Sequence, residues 1–518
     1  MRSTFMGLET SKRGLYTQQS ALYTTGHNIS NANTEGYTRQ RVNMEATLGY
    51  PGTGLNAPTT TGFIGTGVQA SAVQRMRDEF VDRQYRQEQN KLGYWESKTK
   101  SISQMEDIMK EPSEFGINQA FTDFWKAMED VVDNPKNAAA RQVLVAKGDA
   151  LAESFNYMDT QLKLVQSNIG NEISVSSKEI NSILKQISSL NRQIQEVEPN
   201  GYMPNDLYDA RDVLVDQLNE LIPVTVSRVE SGGNALAIAE GSLTIKFGET
   251  VLVDGDKYRK MQPQTATDVE ITGETVTDVF NKYGFTELQK ASLHEAAEKT
   301  NSEDYSVETK EYSDLEFYRG RMTALIDAYG YDNPNIPTEP LGTYPEMIRN
   351  LDTLVKEFAT IFNNTQANGV DLAGATGIAM FSGTTAKDFK VVDGFKPENI
   401  AASDAPDELG NNNNMHKLAG LSTQVFSNLN NGTFQSFYQS LVGDLAVKGQ
   451  EAIRMEYNST TLKLQIENNR ASMNSVSLDE EMTNMITFQQ AYNANARMIS
   501  VVDETLDKII NGMGRAGL

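Results

Sequence analysis

Cysteine is absent from all 518 residues, which removes disulfide staples, thiolate metal sites and cysteine nucleophiles together. Histidine occurs three times, at His27, His294 and His416, too few and too scattered in sequence for a metal cluster. No G-x-x-x-x-G-K-[ST] segment exists to cradle a phosphate, and Gly52-Thr53-Gly54 and Gly65-Thr66-Gly67 complete no dinucleotide fingerprint. No cofactor, metal or catalytic centre is therefore expected. No window reaches the apolar length of a membrane span, and the start, from Met1 to Gly7, lacks the apolar core of a cleaved secretory signal. By that test alone the chain is cytosolic, although freedom from cysteine also suits a chain threaded unfolded through a narrow channel.

Positive charge is in short supply. The formal net charge of -23 would repel nucleic acid and anionic lipid, so neither nucleic acid nor membrane is an expected partner. Residues 264–318 carry thirteen Asp and Glu against four Lys and Arg and read as a solvated outer surface without calcium-loop spacing. Asp206, Asp209 and Asp212 lie at the start of a helix, where they favour its dipole, and Arg211 offers a local partner.

What the chain does have is an apolar column at each end. Leu8, Leu15, Leu22 and Ile29 fall seven apart, as do Leu478, Met485, Tyr492, Ile499, Leu506 and Met513, so each terminus is expected to form a helix with a narrow seam. Burying so few side chains does not offset the ordering of about sixty residues. The seams need more cover than each other, and neighbouring copies of the chain are the expected source.

Between the ends, the Asn-rich stretch from His27 to Gln40 should end the first helix in a specific turn, with Gly36 at positive φ. Gly49 to Gly67 reads as an extended connection. Helices are expected over 72–110, closed by Pro112, around Phe121 to Val132, and from Ala138 to Val197 with a break. Ile169, Ile173, Ser176, Ile180, Ile183, Ile187, Leu190, Ile194 and Val197 alternate steps of four and three, the pattern of a long coiled rod. A shorter helix opens at Asn205 with Leu207, Leu214, Leu218 and Leu221 on one face, and period-two hairpins follow from Val224 to Val253. A further helix is expected at 286–299, another at 346–363, short strands between Gly369 and Gly410, and a loop tip at Asn411 to Asn414. From Phe434 helix resumes with Met455, Leu462, Ile466, Met473 and Val476 on a seam, and Ser477 with Glu480 forms a capping box that starts a fresh helix at Leu478.

The expected fold is mainly α with β-rich outer domains, an α+β multidomain chain in which terminal helices form a coiled coil and a long helical rod carries nested β-rich projections. The expected domains are 1–60 with 478–518 for assembly, 61–223 with 320–368 and 430–477 for the rod, 224–263 with 369–429 for a β-rich outer domain, and 264–319 as an acidic variable insertion.

The stretch Leu22 to Gln40, ending Asn28-Ile29-Ser30-Asn31-Ala32-Asn33-Thr34-Glu35-Gly36-Tyr37-Thr38-Arg39-Gln40, resembles the N-terminal signature shared by flagellar rod, hook and hook-associated proteins. Gly62 to Val68 with Arg75 to Arg86, Pro204 to Leu207 with Asp209, Arg211 and Asp212, and Leu478 to Met482 with Phe488 to Tyr492, Ala496 and Arg497 are similar to the flagellar hook-associated protein 1 family. The resemblance covers roughly the first 255 and last 200 residues. It implies a non-enzymatic structural part of the bacterial flagellum, a ring or short helical layer at the hook-filament junction, needed for filament assembly and motility. It also implies type III export without a cleaved signal peptide, an extracellular location on the flagellum, and contacts with other copies, hook protein, the second hook-associated junction protein and an export chaperone at the C-terminal helix. The assembly interface is then assigned to Leu8, Leu15, Leu22, Ile29, Asn31, Asn33, Gly36, Tyr37, Leu478, Met482, Met485, Tyr492, Ile499, Leu506 and Ile510. The alternatives are another axial protein, either the second hook-associated protein or the hook protein, and a secreted surface enzyme carried on a flagellar scaffold at 226–420.

Overall fold

The computed structural model describes residues 5–50, 65–109, 116–265, 320–331, 336, 339–406, 408 and 410–512, and within 266–319 only five strand segments. Among the described residues the α-helices are α1 (Phe5–Ser30), α2 (Glu79–Ile108), α3 (Ile117–Asp133), α4 (Ala138–Val197), α5 (Asn205–Leu221), α6 (Arg321–Tyr329), α7 (Thr343–Ala367), α8 (Asn413–Gly420), α9 (Phe434–Asn474) and α10 (Leu478–Asp507). The strands are β1 (Gln40–Ala46), β2 (Val68–Arg75), β3 (Thr225–Val229), β4 (Ser242–Phe247), β5 (Thr250–Asp254), β6 (Lys257–Tyr258), β7 (Met261–Thr265), β8 (Glu270–Ile271), β9 (Glu274–Thr275), β10 (Phe280–Phe285), β11 (Gln289–Lys290), β12 (Lys310–Glu311), β13 (Phe381–Ser382) and β14 (Lys390–Val391). Among the described residues no helix is long and apolar enough to cross a membrane.

The axis of the body is α4, whose 60 residues span about 90 Å at 1.5 Å per residue. Its first turn is capped by Asn137, whose side-chain oxygen accepts from the Ala139 and Ala140 amides at 2.9 and 3.4 Å. The expected break does not occur. Gly148 and Gly170 are sites of close packing instead, since a Cβ there would lie 2.7 Å from Met380 Cε and 2.7 Å from the Tyr329 ring.

Along the later half of α4 the stripe Ile169, Ile173, Ser176, Ile180, Ile183, Ile187 and Ile194 is buried, with Leu190 and Val197 half-buried. Among the described residues no second long helix runs along that stripe. It lies under α5, α6 and the five-stranded sheet ordered β11-β6-β5-β4-β3, so the expected coiled rod is a single helix roofed by unlike elements. Asn191 pins the roof by accepting from the Leu243 amide at 3.1 Å and donating to the Leu243 and Gly255 carbonyls at 2.9 and 3.0 Å. Leu236 and Ile238, read as strand, fall in turns before β4.

Around the first half of α4 the core is aromatic. Phe358 of α7 packs on Phe121, Phe124, Phe381 and Phe434 with ring centroids 5.2–5.9 Å apart, mostly edge to face. The segment 369–429 belongs to this end, through Phe381, Phe389 and α8, whereas 224–263 covers the far end of α4. The two stretches assigned to one β-rich outer domain therefore stand apart along the axis. Among the described residues of 369–429 only β13 and β14, two residues each, form a ladder, because the buried positions there serve a helical core. Asn414 is buried in α8 rather than at a loop tip, and donates to the Ala401 carbonyl at 2.8 Å.

Other expectations are corrected locally. Residues 72–75 extend β2, and α2 starts only after Asp78, whose carboxylate caps the Phe80 amide at 2.8 Å. Gln289–Lys290, inside the expected helix 286–299, pairs as strand with Lys257–Tyr258; the rest of that helix, Pro112, most of Gly49 to Gly67 and Met513 lie outside the described residues. On α9, Ala452 and Ser459 are buried while Leu462 and Met473 of the expected seam are exposed. Helix α9 runs antiparallel to α2, with Arg470 beside Asp82 at one end and Gly449 against Ile102 and Glu106 at the other.

Phe358→Ala should lower the unfolding free energy by about 3–5 kcal/mol in denaturant titration. Tyr157→Ala, on the exposed face of α4, should shift it by less than about 0.5 kcal/mol. Similar losses at both positions would contradict a core centred on Phe358.

Candidate functional site: a terminal helix pair fastened by a buried polar joint

Helices α1 and α10 pack antiparallel. Gly7 faces Val502, Gly14 faces Asn495, and Asn28 donates to Glu481 at 3.2 Å, so each seven-residue advance on α1 is matched by a seven-residue retreat on α10. A Cβ on Gly14 would come within 2.8 Å of the Asn495 side chain, which explains the missing side chain there. The hairpin β1–β2, with a bulge between Asn43 and Met44, lies along another side of α1. Thr10 and Thr17 donate to its Thr66 and Val68 carbonyls at 3.5 and 3.3 Å.

Helix α1 is thus held between a helix and a hairpin, and its buried positions are Ser11, Gly14, Thr17, Ala21, Thr25 and Asn28. The leucine column is displaced from that face by one residue, and Leu8, Leu15, Leu22 and Ile29 are only half-buried. Close approach on two sides leaves room for small and hydrogen-bonding groups, not large aliphatic ones. On α10, Met485, Tyr492 and Ile499 are half-buried and Leu506 is buried. Leu478, Met482 and Ile510 are exposed, Asn31 is half-buried and Asn33 exposed.

Gly36 adopts the left-handed φ of +78° that the turn requires, and a Cβ would lie 2.2 Å from Val213 Cγ2. No Asn of the turn is left-handed among the described residues. Tyr37 donates to Asn28 Oδ1 at 2.8 Å, and burial, with Asp209, Asp206 and Glu481 adding to it, holds its phenol well above the usual range. Asn28 uses its whole amide: its oxygen also accepts from the Gln40 amide at 3.0 Å, and its nitrogen donates to the Gln40 carbonyl at 2.8 Å and to Glu481. Arg39 reaches Glu481 at 2.8 Å and Glu480 at 2.9 Å, and its amide donates to the Asn474 carbonyl at 2.9 Å. Ser477 occupies the N-cap of α10 without a side-chain cap bond, so the expected capping box is absent; Glu480 turns to Arg39 instead.

The root of the hairpin is fastened to the body by a network of arginines and carboxylates. Thr38 donates its amide to Asp209 at 3.0 Å, and Asn205 donates to Gln40 and the Val73 carbonyl at 3.2 and 2.9 Å. Arg75 holds Asp209 at 2.6 Å, Asp212 at 2.9 Å and also Glu240. Arg77 pairs with Asp82 and Asp212, Arg86 with Asp216 at 2.7 Å and Asp212 at 3.3 Å, and Arg470 with Asp82 and Asp216 at 2.8 Å each. The Tyr208 ring sits between the guanidiniums of Arg75 and Arg211, 5.1 and 5.3 Å from its centroid.

This corrects the reading of Asp209 and Asp212 as helix-dipole residues. Both are buried, Arg211 turns away to the Gly241 carbonyl at 2.6 Å, and only Asp206 stays exposed. Burial alone would raise the Asp212 carboxyl, but Arg77, Arg75, Arg86 and Arg211 outweigh it and hold the group well below the usual carboxylate range. Asp209 moves the other way, because burial outweighs Arg75. The missed signal was spacing: Asp209, Asp212 and Asp216 share one face of α5, and Arg75, Arg77 and Arg86 can supply their charges. Among the described residues no His, Cys, Asp and Glu cluster is arranged to hold a metal ion.

Two helices from opposite chain ends, paired beside a hairpin and fastened to an elongated body, define a flagellar axial subunit. Residues 8–38 match the flagella basal body rod protein family and 470–512 the C-terminal region of flagellar basal body rod FlgEFG proteins. Residues 102–381 match the helical domain of flagellar hook-associated protein FlgK. The chain belongs to the flagellar hook-associated protein 1 family: it is 40% identical to that protein of Bacillus subtilis over 530 residues, covering 100% of both chains. It is 27% identical to that of Salmonella typhimurium, over 96% of this chain and 98% of the relative. The flagellar hook junction protein FlgK from Burkholderia pseudomallei shares the fold, with a TM-score of 0.59 at 14% identity over 76% of this chain and 100% of that one.

Asp212→Asn should cost about 3–5 kcal/mol near neutral pH, because it leaves buried guanidiniums short of a charge partner. The native carboxyl lies below its unfolded value of about 3.9, so its contribution is complete above that value and drains as pH falls, when the unfolded chain takes up a proton that the native site refuses. The stability gap between wild type and variant, measured in denaturant at about pH 6, 4 and 3, should narrow with acidity. Asp209 acts in both chains and cancels; a gap that stays constant would contradict the assignment.

Proposed function

We propose that this chain is the structural junction between the flagellar hook and filament and is needed for filament assembly. One observation carries the reading: the axial-family matches fall on the two helices that pair, and the hook-associated match falls on the body that they are fastened to. On this reading α1, α10 and β1–β2 form the assembly module. The half-buried Leu8, Leu15, Leu22 and Ile29, the turn residues Asn31 and Asn33, and the exposed Leu478, Met482 and Ile510 contribute to contacts between copies. Gly36, Tyr37, Met485, Tyr492, Ile499 and Leu506 shape the module from within.

The partners on this reading are other copies of the chain, hook protein on one side, the second hook-associated junction protein on the other, and a chaperone that holds the C-terminal helix before export. The chain leaves the cell through the type III apparatus without a cleaved signal peptide and resides outside, at the junction. No catalytic step is part of this role.

Deleting the gene should leave hooks in place, bare of filaments, with filament subunits released into the medium. Filaments should return with the full chain and not with one lacking 478–518. Missing hooks, or filaments restored by the truncated chain, would contradict the proposal; electron microscopy and immunoblots of the medium read both.

A further inference from the structure

Arg141, in the first turns of α4, is buried at 1% exposure. Its Nε donates to the Pro135 carbonyl at 2.6 Å, and its Nη1 to the Pro397 and Ile400 carbonyls at 3.2 and 2.7 Å. The two N–H groups of Nη2 are left without a partner among the described residues. Nor does any carboxylate among those residues form an ion pair with Arg141, whereas Arg75, Arg77, Arg86, Arg211 and Arg470 of the joint each have one. Burial lowers the Arg141 guanidinium to about 10, and Asp371 works against the shift. Arg141 and Asp371 line one cavity of about 240 Å³. The wall around Asp371 is fixed by the backbone: Val370 and Ser403 exchange hydrogen bonds at 2.7 and 3.4 Å, and Asp371 Oδ1 accepts from the Ala373 and Ala375 amides at 2.9 Å each. Asp371 is itself buried, and its Oδ2 has no partner among the described residues.

We propose that this cavity binds a free α-amino acid as its zwitterion, with the carboxylate on Arg141 Nη2 and the ammonium on Asp371 Oδ2. The site is independent of the junction reading. A buried charge is costly until a group of opposite sign meets it, and here two such charges of opposite sign face one space without pairing with each other. Charge then separates the possible ligands. An inorganic anion would satisfy Arg141 and be repelled by Asp371, with Glu408 also lining the cavity; a simple cation would satisfy Asp371 and be repelled by Arg141. A neutral amide has the right donor and acceptor but neutralises neither charge. The zwitterion answers both. At ~30 Å³ per water the cavity has the volume of roughly eight waters, which suits a small amino acid. Leu372 and Ala402 also line it, and they favour a short aliphatic side chain over a charged one.

Isothermal titration calorimetry on the full-length chain tests the site with glycine, L-alanine and L-serine. At least one of them should bind saturably, with a single site per chain. Acetate, methylammonium, acetamide and inorganic phosphate each carry only part of the pattern and should bind about tenfold more weakly than that amino acid, or not at all. Asp371→Asn keeps an oxygen for the Ala373 and Ala375 amides and removes the charge, so it should weaken amino-acid binding by about tenfold or more while the circular dichroism stays that of the wild type. Should that variant not fold, the order of affinities on the wild-type chain still decides. No saturable binding of any of the amino acids, binding of phosphate or acetamide as tight as theirs, or an unchanged affinity in folded Asp371→Asn would overturn the inference.

Discussion

The carboxylate of Asp212 sets the terms for the rest of the molecule. It has lost its water and is held by Arg75, Arg77 and Arg86, which come from the end of β2, the linker after it and the first turns of α2. A buried charge of this kind is tolerable only while every partner stays in place. The first third of the chain therefore has one way to meet α5, and Arg470 extends the same condition to the end of α9 through Asp82 and Asp216. An apolar contact of the same size would permit sliding; this one fixes direction and register, the property that a long lever needs at its root.

The terminal pair depends on that root. Its internal contact sets Gly7 against Val502, Gly14 against Asn495 and Asn28 against Glu481, a close but thin interface. Helix α1 gives much of its remaining surface to hydrogen bonds with the hairpin, so leucines that would fill a core stay half in water. The pair is held in position by Asn28, Arg39 and Glu481 and is incompletely buried, which is the state expected of a segment that is finished by its neighbours. The aromatic core around Phe358, by contrast, is complete within one copy.

Features with local causes were legible from residue order. The isoleucine stripe of α4, the turn at Gly36, the hairpins after Pro223, the start of α10 at Leu478 and the nesting of the two ends all follow from periodicity or turn chemistry, and the structure has them. Features set by distant partners were not. The leucine column of α1 is the more conspicuous pattern, yet packing selects the neighbouring small residues, because α10 and the hairpin both press on that helix. Asp209 and Asp212 look like ordinary acids near a helix start until β2 and the segment after it bring their arginines, 134 and 135 residues away, into contact. Glu480 has the spacing of a capping box and is drawn off by Arg39 for the same reason. The family resemblance marked these motifs, and only the fold explains why they belong together: they converge on one joint.

The central claim is that the two chain ends form one unit, fastened at a single place and less buried than the body. Amide hydrogen exchange on the dilute full-length chain tests it most directly. Helices α1 and α10 should open together, at a free-energy cost below that of α4 and α7. Protection in α1 and α10 equal to that of α4, or independent opening of the two helices, would contradict the account.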